Sequence, residues 1–377
     1  MSTLLKAESP PARPENPVPG EGERVAAFEI RRRAFLDKDG RLTEPAPVVA
    51  HDREALREMY RVMALARAFD AKAIALQRTG RLFTYPSCQG QEAVAVGIAA
   101  AMEDCDVLLP TYREQGAQIW RGVTLRELFL YWAGDERGSD FSGPRKDFPV
   151  SVPIGTHAPH AAGVAMAMKL RKEKRVAVCA LGDGGSSKGE FYESLNFAGV
   201  WRLPVVFVVC NNGWAISMPR ARQSAAETLA QKAVAAGLPG EQVDGNDVIA
   251  VRTAVGEAVE RAREGGGATV IEALTYRMGD HTTADDARRY RDEAEVSAQW
   301  ALDPLARLRR YMAGRGWWTK DDEAALIAAC REEVEAELAA FEETPPQPAS
   351  AIFDYTFATL PASLARQKAL LGGDDDA

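Results

Sequence analysis

A chain of 377 residues, 46% hydrophobic and 27% charged, can bury one large core or two ordinary ones. Its net charge of −8 provides no basic face, and no apolar run reaches the roughly 18 residues of a membrane helix, so neither nucleic acid nor membrane is expected as a partner. Five cysteines (Cys88, Cys105, Cys179, Cys210, Cys330) without a CxxC pair, and only four histidines, exclude a disulfide framework and a His-rich metal cluster. Reduced thiols and acidic charge fit a cytoplasmic protein, and any metal should be held by oxygen.

In chain order, residues 1–27 are rich in Pro and Glu, lack the apolar centre of a signal peptide and read as a disordered lead. Phe28 to Pro47 reads as an irregular arm with a turn at Asp39-Gly40. From Asp52 to Arg78, Leu56, Met59, Tyr60, Met63 and Phe69 recur at helical spacing, which predicts a helix ending at Gly80. Val94 to Met102 and His157 to Arg171 predict Ala-rich helices, and Gly134 to Phe148 a long surface loop. Val176 to Leu181 is an apolar run suited to a buried parallel strand. Glu190 to Val200 has a helical face of Phe191, Leu195 and Ala198. A strand over Val205 to Val209, a helix over Asp247 to Glu264 and a strand over Thr269 to Leu274 complete an α/β fold with a largely parallel sheet. Helix is expected from Asp303 to about Glu343. Residues 28–343 thus form one α/β domain with a helical C-terminal part, and 344–377 an extension with a last helix and an Asp374-Asp375-Asp376 tail.

One strand ends in Gly182-Asp183-Gly184 and the next in Asn211-Asn212, separated by the length of one strand-helix-strand unit. Right-handed crossover puts both loops at the carboxyl ends of parallel strands, where open α/β sheets bind ligands. Gly-Asp-Gly alone is an ordinary turn, and so is Asn211-Asn212-Gly213. Together they offer a carboxylate from Asp183, an amide oxygen from Asn212 and a backbone carbonyl near Trp214, a donor set suited to Mg²⁺ shared with phosphate oxygens. The glycines let backbone approach a phosphate, and the following helix can aim its first N–H groups at the anion.

The segment Leu181 to Ser217 looks like the thiamine-diphosphate signature. From about Phe28 to Leu370 the sequence is similar to alpha subunits of the thiamine-diphosphate-dependent decarboxylating component of 2-oxo acid dehydrogenase complexes, the bacterial pyruvate-specific ones above all. The resemblance implies a thiamine-diphosphate-binding fold, with Asp183, Asn212 and the Trp214 carbonyl on Mg²⁺ and Gly184 and Gly185 at the diphosphate. It places Tyr112 and Arg113 of Thr111-Tyr-Arg-Glu114 at the diphosphate too, where Arg113 can clamp phosphate bidentately. Val152 and Ile154 lie in the segment leading beneath the cofactor, Ile154 as the apolar support of its bent conformation. His281, in the loop Tyr276 to Arg291, is implied to bind cofactor and transfer protons, with Arg277, Asp285, Tyr290 and Arg291 ordering that loop. Thr282 stands where mitochondrial relatives carry a kinase-modified serine.

The resemblance also implies pyruvate as substrate, a branched-chain 2-oxo acid being the alternative that Gly316-Trp317-Trp318 keeps open. It implies a beta subunit that supplies the glutamate facing the aminopyrimidine, in an α2β2 heterotetramer, and a lipoyl-bearing dihydrolipoamide acyltransferase as the downstream partner. A non-catalytic assembly subunit is the reading of another class. No GxGxxG opens a helix after a strand, which counts against a nicotinamide enzyme.

Overall fold

The computed structural model describes Arg24, residues 26–43 and residues 45–371. Most of the lead and the whole Asp374–Asp376 tail lie outside the described residues.

Six strands form one all-parallel sheet: β1 (Arg32–Arg33), β2 (Val107–Leu109), β3 (Ala177–Gly182), β4 (Val205–Asn211), β7 (Gly240–Asp244) and β8 (Thr269–Leu274), ordered β1-β7-β8-β4-β3-β2. Between β4 and β7, β5 (Trp214–Ala215) and β6 (Met218–Pro219) make a small antiparallel hairpin. The central strands are buried on both faces, which is why they read as unbroken apolar runs. Cys179, Leu181, Phe207 and Val209 face the layer of α5 (His157–Leu170) and α6 (Gly189–Val200). Val178, Ala180, Val206 and Val208 face α2 (Glu92–Ala99) and α8 (Val248–Arg263). Truncating a fully buried ring such as Phe207 to Ala would cost about 3–5 kcal/mol.

A third apolar cluster joins α1 (Arg53–Arg78) and α4 (Leu125–Trp132) to α10 (Pro304–Gly314) and α11 (Lys320–Glu342). Helix α1 begins where Asp52 accepts the Ala55 amide at 3.0 Å and stops before Gly80, at φ +75°. Asp247 caps α8 with one carboxylate oxygen, while the other takes the Phe35 and Leu36 amides at 2.7 Å and pins the N-terminal arm.

Several expectations shift. The helical run from Asp303 breaks into α10 and α11 because Gly316, at φ +70°, turns the chain before Trp317-Trp318. Residues 134–148 are not a solvated loop throughout. They contain a 3-10 turn at Glu136–Ser139, bury Phe141 and Gly138, and donate the Ser142 amide to Glu127 at 2.7 Å. Strands β1 and β7 and the helices α3 (Gln115–Trp120) and α4 were not anticipated. In β7 the polar Gln242 and Asp244 disguise a buried strand, and Gln242 is satisfied by Glu272 at 3.0 Å. All five cysteines are free.

Candidate active site

The register of β3 on β4 sets Gly182 opposite Cys210, so Asp183 and Asn212 leave adjacent strand ends together. Both line one cavity of about 590 Å³ at the carboxyl edge of the sheet. Tyr112 and Arg113 reach it from the segment after β2, Val152 and Ile154 from the segment before α5, and His281 from the loop after β8. Gly184, Gly185 and Trp214 complete the set predicted from sequence.

Asp183 is 2% exposed, and one of its carboxylate oxygens accepts the Gln223 side-chain amide at 2.7 Å. Burial raises its pKa, the mark of a carboxylate short of compensating charge. Asn212 Nδ2 donates to Gln91 Oε1 at 3.0 Å, which turns Oδ1 away as the acceptor; Oδ1 takes the Trp214 amide at 3.2 Å. The Trp214 carbonyl accepts a long hydrogen bond, 3.4 Å, from Arg277. Among the described residues no three His, Cys, Asp or Glu side chains cluster as a metal site. The donor set here is instead one carboxylate, one amide oxygen and one carbonyl, all hard oxygens, and it fits Mg²⁺ better than a softer ion. A Cβ on Gly184 would come within 2.7 Å of the Ala215 Cβ, so the turn abuts the hairpin and takes no side chain. Gly185 is freer: a Cβ there meets Leu181 and Ile154 only at ordinary contact distance.

Sequence reasoning missed the supports of this corner. Gln91 lines the cavity, and its Nε2 is buried without a hydrogen-bond partner among the described residues. Its Gln89-Gly-Gln91-Glu context gives no periodicity or motif that would mark such a role. Gln223 carried no signal. Nor did Lys232, which is 5% exposed, donates to Ser186 O at 2.5 Å and Oγ at 3.0 Å, and is pushed by burial down to about 8; Ser186 Oγ in turn donates to Asp183 O at 2.7 Å.

The His281 corner is made of side chains. Arg113 Nη2 lies 3.0 Å from His281 Nδ1 and donates to the His281 carbonyl at 2.6 Å, while Nη1 donates to Ser87 O at 2.5 Å. Arg113 is thereby tied through Nη2 to the His281 loop and through one N–H of Nη1 to Ser87, at the wall of the cavity. Arg277, wholly buried, approaches the same Nδ1 at 3.5 Å and donates to Ile216 O and to the Tyr290 hydroxyl. Asp285 accepts the His281 amide at 2.8 Å and the Tyr290 hydroxyl. Arg291 donates to the carbonyls of Arg277, Met278 and Gly279. The Tyr112 ring meets the imidazole edge-on at 6.1 Å. Burial first, then the Arg113 and Arg277 cations, push the His281 pKa down to about 4.

The family described as Dehydrogenase E1 component matches residues 60–350. The chain belongs to that family. As an E1 dehydrogenase it is an oxidoreductase of the thiamine-diphosphate-dependent, 2-oxo acid class, as the Leu181–Ser217 segment indicated. It is 43% identical over 337 residues to the pyruvate dehydrogenase E1 component subunit alpha of Acholeplasma laidlawii, covering 88% of this chain and 96% of that one. Its likeness to the same subunit of Staphylococcus epidermidis is 41% over 347 residues, 92% of this chain and 93% of the relative. The 3-methyl-2-oxobutanoate dehydrogenase subunit alpha of Mycobacterium tuberculosis is 43% identical over 316 residues, 84% and 86% of the two chains. Among the described residues no helix is long and apolar enough to cross a membrane.

Proposed function

We propose that this E1 dehydrogenase is the alpha subunit of a cytoplasmic pyruvate dehydrogenase. It would hold thiamine diphosphate through Mg²⁺ at the interface with a beta subunit in an α2β2 assembly, and its acetyl product would pass to the lipoyl group of a dihydrolipoamide acyltransferase. The observation that carries the reading is the meeting of Asp183 and Asn212 in one cavity with Arg113 and His281. Asp183, the Asn212 amide oxygen and the Trp214 carbonyl would ligate Mg²⁺, and the Gly184-Gly185 turn, with Tyr112 and Arg113 nearby, would bind the diphosphate. Val152 and Ile154, half-exposed at 54% and 43%, would support the cofactor from the segment before α5. Bound thiamine diphosphate supplies the carbanion and the electron sink for decarboxylating a 2-oxo acid. The chain's own residues orient it, exclude water and, at His281, hold or move a proton.

Two features support a beta subunit. Of the two carboxylates lining the cavity among the described residues, Asp183 belongs to the metal corner. Glu114 is consumed by Thr111, whose amide and hydroxyl it accepts at 2.7 and 2.5 Å. Neither is free to face an aminopyrimidine. Val152, Ile154, Ile216 and Met218 also leave apolar surface exposed near the cavity.

Purified alone, the chain should decarboxylate pyruvate negligibly, and adding its beta subunit should restore turnover; full activity of the isolated chain would defeat the proposal. The 43% identity to the 3-methyl-2-oxobutanoate enzyme keeps the branched-chain reading as the second one. Steady-state kinetics with pyruvate and 3-methyl-2-oxobutanoate separate the two, a strong preference for the branched acid overturning the substrate assignment.

A further inference from the structure

We infer that Arg113 and Arg277 hold His281 in the tautomer whose proton sits on Nε2, so that this histidine meets the reactants as a neutral hydrogen-bond donor and not as a proton acceptor. What fills the cavity rests on the functional reading above; the tautomer rests on the protein alone. A guanidinium has only donors. Nδ1 lies 3.0 Å from Arg113 Nη2 and 3.5 Å from Arg277 Nη1, so it must present a lone pair, and a proton there would point at N–H groups. The ring's one proton is therefore on Nε2. Nε2 has no hydrogen-bond partner among the described residues, and His281 lines the cavity.

Turning the ring over would bring Cδ2–H, not a nitrogen, to face the two guanidiniums and would forfeit the acceptor at Nδ1. The His281 amide is held by Asp285 at 2.8 Å and its carbonyl by Arg113 at 2.6 Å, while Tyr112 packs edge-on against the ring. The groups around it all act one way or are already engaged. Arg113 and Arg277 oppose a third positive charge. Asp285, the one carboxylate in contact, is taken up by the His281 amide and the Tyr290 hydroxyl. Arg277 itself is held in place by Ile216 O at 2.9 Å and the Tyr290 hydroxyl at 2.8 Å. Arg113 and Arg277 are thus positioning residues acting through His281. The proton exchange expected of His281 narrows to donation of one oriented hydrogen bond from Nε2, to negative charge that develops in the cavity.

The test is ¹⁵N NMR on alpha subunit labelled at histidine and assembled with unlabelled beta subunit, the His281 signals being assigned by difference from H281N. Without cofactor and near neutral pH, Nδ1 should appear unprotonated and Nε2 protonated. A protonated Nδ1 or an imidazolium overturns the inference, and the wild-type spectrum, assigned through H281N, decides it even if the arginine variants fail to assemble. R113M should give mixed tautomers and lower lipoyl-dependent turnover about a hundredfold, and R113K, which keeps a donor, should restore the Nε2–H form. An assembled R113M with unchanged tautomer would also overturn it, because a merely structural Arg113 leaves the ring's protons where they are. Calorimetric titration of thiamine diphosphate with Mg²⁺ runs in parallel. Absence of binding there would sink the functional reading while leaving the tautomer result standing.

Discussion

The Asp183–Asn212 corner is placed by backbone, because two neighbouring parallel strands in fixed register deliver both residues to the same edge. The His281 corner is placed by side chains: Arg113, Arg277, Asp285 and Tyr290, drawn from two distant stretches of chain, hold one loop by hydrogen bonds. A ligand set by strand register should lose its chemistry on substitution and leave its surroundings intact. A loop held by a buried network should lose its order along with its chemistry. The same cavity therefore combines a rigid part and a conditional part.

The largest effect expected is at Asp183. D183N should remove tight divalent-metal binding, read by Mn²⁺ electron paramagnetic resonance, and lower turnover more than about a thousandfold. The protein without cofactor should melt no lower than wild type. Burial raises the Asp183 pKa, so at neutral pH the folded state carries a charge it would sooner neutralise, and an amide of the same shape removes that burden. A large drop in melting temperature would mean that the carboxylate holds the strand ends together, and the contrast between the corners would fail.

R277M should behave in the opposite manner. The Trp214 and Ile216 carbonyls lose a donor and Tyr290 loses its guanidinium partner, so the loop should loosen as a unit. We expect turnover about a hundredfold lower, together with rapid tryptic cleavage after the exposed Arg288 or Arg289. A loop that stays protected in R277M would show that packing alone orders it.

The contrast also explains what could be read from the chain beforehand. The strand over Thr269–Leu274 was legible to the residue, and β3, β4, α1 and α8 to within one or two, because burial on both sheet faces and helical periodicity each leave a local pattern. Asp183 and Asn212 could be singled out for the same reason: they sit at the ends of those strands. The edge strand β1 is two residues long, and β7 interleaves polar residues, one of them the buried Gln242 that donates to Glu272 on β8, so neither has an apolar run to betray it. Arg113 marks the limit most clearly. Its sequence context predicts a cation near phosphate, but whether its guanidinium meets phosphate or an imidazole depends on a loop some 170 residues away. Gln91 and Lys232 were invisible as supports for a related reason, since a neutral amide and a lone lysine acquire meaning only from the turn they are packed against.

Gln91 gives a subtler test of the backbone-built corner. Its Oε1 accepts from Asn212 Nδ2 and from the Cys210 thiol, and so fixes which end of the Asn212 amide faces the cavity. Q91L frees that amide to rotate and should weaken Mn²⁺ affinity by about tenfold, the lower end of what removing the partner of a ligating side chain costs. Affinity equal to wild type would mean that strand register alone orients Asn212.

The smallest effect expected is a pH dependence of stability at the His281 corner. The folded pKa of about 4 lies below the value of about 6.5 for an unfolded histidine. Above the unfolded value both states are neutral, and His281 contributes no slope. As pH falls from the unfolded value toward the folded one, the unfolded chain takes up a proton that the folded protein refuses, so stability declines. H281N lacks this term and keeps every other titrating group, including His157, whose pKa burial also lowers. Wild-type assembly should thus lose more melting temperature than H281N between about pH 7 and pH 5, by a margin reduced by the partial exposure of the ring. Equal losses would mean that the imidazole protonates freely in the folded state, and the two guanidiniums would have to point elsewhere in solution.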